Sequence, residues 1–89
     1  MDKGEVRAMK KSDYYHVRLL ERLRILFPEF TNGQIKHAAN RVGHVIRKHK
    51  GDNYSVDISR NAYQDNQGYW SYYKTNACGL DIYVAILTD

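Results

Sequence analysis

Residues 31–48 read TNGQIKHAANRVGHVIRK, and this stretch decides the fold class. Thr31 and Gln34 have the spacing of a capping box, in which an N-cap threonine and a glutamine three residues later bond each other's backbone N–H. Apolar residues then recur at three- and four-residue spacing, which predicts an amphipathic helix over about residues 32–48. Its apolar stripe consists of Ile35, Ala38, Ala39, Val42, Val45 and Ile46.

A similar apolar stripe precedes this helix in the sequence. It predicts a first helix over about residues 13–27, with Asp13 at its N-cap. Pro28 ends that helix, because proline disfavours helical geometry at the residue before it. Residues 1–11 show no clear period, so we expect an N-terminal tail followed by a single domain over residues 12–89. The stripe, which includes a histidine expected in the core, consists of His16, Leu19, Leu20, Leu23, Leu26 and Phe27.

Beyond the second helix the apolar period changes from 3.6 to about 2, which indicates strands. We predict strands over about residues 54–60, 69–75 and 80–87, with turns at about 65–68 and 76–79. Short turns favour antiparallel pairing, so the predicted fold is α+β: two helices packed on one face of a three-stranded antiparallel meander. The predicted core consists of Leu19, Leu20, Leu23, Phe27, Ile35, Val42, Ile46, Val56, Ile58, Ile82, Val84 and Ile86.

A chain of 89 residues is too short for a multi-domain enzyme. It lacks an apolar run of about 18 residues, and its first residues lack a signal-peptide core, so we expect a cytoplasmic protein with no membrane partner. Cys78 is its single cysteine, which excludes an internal disulfide and a Cys-rich zinc site. No metal or cofactor is expected.

The net charge of +4 is unevenly distributed. Residues 1–53 contain twelve Lys or Arg and six Asp or Glu, and residues 30–51 contain no acidic residue. A cationic helix surface without anions forgoes every stabilising ion pair, which is tolerable if a polyanion supplies the missing charge. Alternatively the surface is a solvated face neutralised by Glu29, Asp52 and Asp57. The candidate phosphate-binding residues are Lys36, His37, Asn40, Arg41, His44, Arg47, Lys48 and Lys50.

Aromatic residues are concentrated in the strand region. In the second predicted strand, alternation places Trp70, Tyr72 and Lys74 on one face and their neighbours on the other. Exposed aromatics could stack bases or bind a protein, and cross-strand aromatic pairs also stabilise small sheets without any ligand. The candidates for stacking or a protein interface are Tyr69, Trp70, Tyr72, Tyr73 and Tyr83.

The sequence therefore favours a small, basic, non-enzymatic module that binds DNA, RNA or an acidic protein surface through the second helix, with a homodimer left open. One alternative is a protein–protein interaction module, or a phage- or plasmid-type inhibitor of a host nucleoprotein, acting through the aromatic sheet. A less favoured one is a metal-independent ribonuclease that uses His37 and His44 as acid and base. The sequence contains no spaced carboxylate pair, no phosphate-binding loop and no nucleophile with an adjacent base that would support such an activity.

Overall fold

A computed structural model describes residues 11–64 and 68–88 and confirms the α+β fold with both helices before the strands. Most of the predicted tail, most of the turn at 65–68 and the side chain of His16 lie outside the described part. The elements are α1 (Lys11–Leu26), α2 (Asn32–His49), β1 (Tyr54–Ser59), β2 (Trp70–Ala77) and β3 (Leu80–Thr88).

The corner between the helices forms as the sequence predicts. The Thr31 hydroxyl accepts from the Gln34 N–H at 3.2 Å, and the Thr31 N–H donates to Gln34 Oε1 at 2.8 Å, which confirms the capping box. The start of α1 differs from the prediction. Lys11 is already helical, so Asp13 lies inside the helix and is not its N-cap.

The strand order is β1–β3–β2, and the prediction of a meander is wrong in this respect. Val56 of β1 pairs with Ile86 of β3, and Thr75 of β2 pairs with Ile82 of β3, all antiparallel. β3 takes the centre because its middle is buried on both faces: Val84 faces the helices at 0% exposure, and Ala85, on the side away from them, is 2% exposed. A strand that is buried on both faces belongs in the middle of a sheet, and the ten-residue connection after β1 allows β2 to reach the far edge.

The β2–β3 hairpin has a two-residue turn, tighter than the predicted one. Cys78 and Gly79 have φ values of 54° and 81°, the left-handed geometry that matches the twist of paired strands. Gly79 adopts this geometry without a steric penalty, whereas Cys78 does so with a side chain.

The core lies between the helices and one face of the sheet. α2 packs on β2 and β3, and α1 packs on α2. Nine of the twelve predicted core residues are buried, and Leu20, Ile46 and Val56 are partly buried against them. Ala38 and Ala39 of the α2 stripe are also buried, which allows close approach of α2 to its neighbours.

Candidate nucleic-acid interface

The surface of α2 opposite its apolar stripe is open to solvent. Ile35, Ala38, Ala39 and Val42 are each at most 1% exposed, and Val45 and Ile46 are partly buried against the core, so the stripe packs inward and the opposite side faces outward. We call this side the basic face. It consists of Lys36, His37, Asn40, Arg41, His44, Arg47 and Lys48, all exposed, and Lys50 is exposed just past the helix end.

The charge of the basic face is not neutralised by carboxylates of the described residues. Within the part of the chain that the structure describes, no Lys or Arg of α2 forms an ion pair with a carboxylate. The Glu29 carboxylate pairs with Arg60, and Asp57 accepts a hydrogen bond from Tyr63. Two of the three carboxylates expected to neutralise the helix are therefore engaged elsewhere, and Asp52 is exposed.

The helix dipole accounts for part of the basic face only. Arg47 and Lys48 lie in the last turn, where the partial negative charge of the helix end favours cations. The Arg47 guanidinium lies over Gly43, since a Cβ built there would be 3.1 Å from Arg47 Nη1. Lys36 and Arg41 lie outside that turn, so the helix dipole does not account for a cation at either position.

Arg41 joins the basic face to the edge of the sheet. Its Nε donates to the carbonyl oxygen of Asn76 on β2 at 3.1 Å. Because β2 is an edge strand, carbonyls that do not bond β3 face outward, and Arg41 satisfies one of them. The guanidinium is thereby held beside β2 while remaining exposed.

The end of α2 packs on the sheet through contacts that the sequence did not predict. The His49 ring stacks on Tyr73 with centroids 4.0 Å apart, and both side chains are half-buried. His49 lies seven residues after Val42 and so on the same stripe, a signal that could have identified it. Lys50 Nζ lies 5.6 Å from the centroid of the Tyr54 ring, within the range of a cation–π contact.

The structure separates the five predicted aromatic candidates. Tyr73 faces the helices, where its ring stacks on His49 of α2, and its cross-strand partner Val84 points to the same side. Trp70, Tyr72 and Tyr83 lie on the opposite side, which we call the open face, and all three are half-buried. Tyr69 precedes β2 and is 86% exposed.

Tyr63, from the β1–β2 connection, lies across the middle of the open face. Its hydroxyl donates to Asp57 Oδ2 at 3.0 Å, and its ring centroid is 5.1 Å from that of Tyr72. Asp57 and Tyr72 both pair with Ala85, so the Tyr63 side chain crosses the sheet above this small residue. This contact explains why Ala85 is buried on a face that the helices do not cover. Burial, followed by the hydrogen bond to Asp57, raises the pKa of Tyr63. No periodicity marks this loop residue, so the sequence did not reveal it.

Arg60, also missed, fastens the helical corner to the end of β1. Its guanidinium forms two bonds with the Glu29 carboxylate, and Nη1 also donates to the Leu26 carbonyl at 3.1 Å. It lies 4.9 Å from the centroid of the Phe27 ring. The hydrogen bond from Arg60 lowers the pKa of Glu29, so the carboxylate is held charged by a structural contact.

The described residues provide no further preorganised chemical site. They contain no group of three His, Cys, Asp or Glu side chains positioned to hold a metal. A groove of about 280 Å³ between α1 and β1 is lined by apolar residues such as Leu19 and Val56, with Arg18 and Arg22 beside them. His37 and His44 are both exposed on the basic face.

No family model matches the chain, and no curated protein or solved structure matches it at a significant level. Among the described helices, none has the length and apolar character needed to cross a membrane. Function must therefore be inferred from the chemistry of the basic face and the open face.

Proposed function

We propose that the protein binds nucleic acid by placing the basic face of α2 against its phosphates. The observation that carries the proposal is the exposed set of cations on α2, which no carboxylate of the described residues neutralises. Phosphates would relieve the mutual repulsion of these cations, and binding would release the counterions condensed on the nucleic acid.

Four cations are expected to contribute most. Lys36, Arg41, Arg47 and Lys48 project from the side of α2 that takes no part in the core. Lys50 adds charge but is partly drawn toward Tyr54. Asn40 is exposed beside them and could hydrogen-bond a phosphate or a base edge.

The test is a titration of labelled oligonucleotides at several salt concentrations. Log affinity should fall linearly with log salt, and each phosphate contact removed should reduce the slope by about 0.9 for duplex DNA or about 0.7 for a single strand. The Arg41→Ala/Lys48→Ala variant should therefore lose a slope of about 1.4 to 1.8. A folded variant that retains full affinity and slope would overturn the proposal.

A matched control separates local contact from net charge. Arg24→Ala on α1 changes the charge by the same amount as Lys48→Ala, and Arg24 is exposed outside the basic face. If the basic face is the contact, Lys48→Ala weakens binding more than Arg24→Ala. Equal losses would indicate general attraction by a positively charged protein.

The open face supports a second candidate, a protein–protein interaction module. Trp70, Tyr72 and Tyr83 lie there uncovered by either helix, and Trp and Tyr are common in binding hot spots. An inhibitor that binds a host nucleoprotein through this face would be one such interaction module. Recovery of one stoichiometric protein from nuclease-treated lysate, lost on substitution of Trp70, would favour it over nucleic-acid binding.

A further inference from the structure

The basic face and the open face meet along β2. α2 packs on one side of this edge strand, and the side chains of Trp70, Tyr72 and Lys74 lie on the other. Arg41 connects the two sides through its 3.1 Å hydrogen bond to the backbone of Asn76.

Resting on the proposed function, we infer that the bound nucleic acid is single-stranded, and that it passes from the basic face around the β2 edge so that a base stacks on Trp70. A single strand can follow such a path because its backbone is flexible and its bases are free to turn outward.

Cations continue along this path. Lys74 is two residues from Asn76 on β2, about 7 Å along the strand, and its side chain is exposed on the open face. Only two Lys or Arg residues follow residue 53 in the sequence, Arg60 and Lys74. Arg60 is engaged by Glu29, whereas Lys74 forms no ion pair with a carboxylate of the described residues. Arg41 and Lys74 can therefore hold successive parts of one backbone as it rounds the edge.

Aromatic rings occupy the next positions on the same side of β2. Tyr72 and Trp70 follow Lys74 at two-residue spacing, so all three side chains point the same way. The Tyr63 ring braces Tyr72 from the centre of the open face, which leaves Trp70 at the far end of the row, opposite Leu87. The indole is partly exposed and lies four residues along the same face of β2 from Lys74, so it offers a stacking platform that tolerates any base.

A duplex fits this path poorly. Its bases are stacked inside, and its persistence length is about 150 base pairs. The protein measures 40 × 34 × 19 Å, so a duplex lying on α2 could not bend around β2 within the length of the protein. A duplex would contact the basic face alone.

Trp70 is the only tryptophan, so the unmodified protein reports on the inference directly. A single-stranded oligonucleotide should quench its fluorescence, whereas the duplex of the same sequence should leave it nearly unchanged. Lys74→Ala should reduce the salt slope for the single strand by about 0.7 and leave the duplex slope unchanged. Trp70→Ala should weaken single-strand binding by about fivefold or more, because base–aromatic stacking contributes about 1–3 kcal/mol.

Trp70→Phe serves as the conservative variant, since it retains a ring and should retain most of the affinity. Salt-dependent binding that is equal for both strand forms, with unchanged fluorescence and no effect of Lys74→Ala, would overturn the inference and leave the proposed function intact. Absence of salt-dependent binding to either form would overturn both. A protein partner whose binding requires Trp70 while nucleic acid leaves its fluorescence unchanged would assign the open face to that partner and also overturn the inference.

Discussion

The Tyr63 hydroxyl donates a hydrogen bond to Asp57 Oδ2 at 3.0 Å, and this contact holds the β1–β2 connection across the open face. Because Tyr63 also packs on Tyr72, one loop residue bridges the two edge strands on the side that the helices leave uncovered. The bridge orders the aromatic row near Trp70, and its strength can be measured through the ionisation of Tyr63.

The Tyr63 bridge should weaken at alkaline pH. Burial and the Asp57 carboxylate raise the pKa of Tyr63 above its ordinary value of 10.0, so its contribution to stability is present below that pH and is lost as pH rises toward the folded-state value. Tyr63→Phe should lower the free energy of unfolding by about 1 kcal/mol at pH 7, because it removes a hydrogen bond to a charged group. The figure is reduced from that of a buried bond because both side chains are partly exposed to solvent. The difference from the parent should shrink above pH 10, as measured by urea unfolding at a series of pH values.

Ultraviolet absorption provides an independent check on Tyr63. The parent should show a tyrosine ionisation step above the ordinary pKa of 10.0, and Tyr63→Phe should remove that late step. Tyr69→Phe changes an exposed tyrosine and should alter neither stability nor the late step. A late step that persists in Tyr63→Phe would show that a different tyrosine is the protected one.

The Glu29–Arg60 pair should stabilise the helical corner in a pH-dependent way. Arg60 lowers the pKa of Glu29 from its ordinary value of 4.5, so the contribution is present above that value and is lost as pH falls through the folded-state pKa. Glu29→Gln should therefore lower the melting temperature at pH 7, and its difference from the parent should disappear as the pH falls below the folded-state pKa of Glu29. Glu21→Gln, at an exposed glutamate of α1, is the control and should have little effect at either pH. An undiminished difference at low pH would mean that shape rather than charge matters at this position.

The sequence predicted the helices well because both of their signals are local. A capping box and a stripe at 3.6-residue spacing depend on neighbours within a few residues, as Thr31 and Gln34 show. The burial of Ile35 and Val42 followed from the same pattern. The strands were found from their alternation, but their order was not, since which strand takes the centre depends on contacts distant in sequence.

The functional surfaces were only partly predictable for the same reason. Exposure of the basic face followed from helix geometry, and the structure agrees with it. The contact of Arg41 with Asn76 joins positions 35 residues apart and could not be read from spacing. Arg60 and Tyr63 lie in an aperiodic connection, where no pattern indicates what a side chain will meet.

Cys78 should be a site where a single substitution stabilises the protein. Its φ of 54° is left-handed, a geometry that costs a typical L-residue about 1–2 kcal/mol but is well tolerated by asparagine in two-residue hairpin turns. Cys78→Asn should add about 0.5–1 kcal/mol and raise the melting temperature by roughly 2–8 °C. Cys78→Ser removes the thiol without relieving the backbone and should change little. An equal gain from serine would point to the thiol instead of the turn.

His44→Glu should separate stability from binding on the basic face. The carboxylate would lie four residues before Lys48 and three after Arg41, so it would form two ion pairs of about 0.2–0.5 kcal/mol each. Thermal unfolding should therefore shift upward, while oligonucleotide affinity falls because an anion now lies among the phosphate contacts. His44→Gln removes the ring without adding charge and should change both much less. Unchanged affinity in His44→Glu would remove the basic face from the binding surface. A loss of stability would mean that the α2 cations do not repel one another in the free protein, and then a polyanion would have no repulsion to relieve.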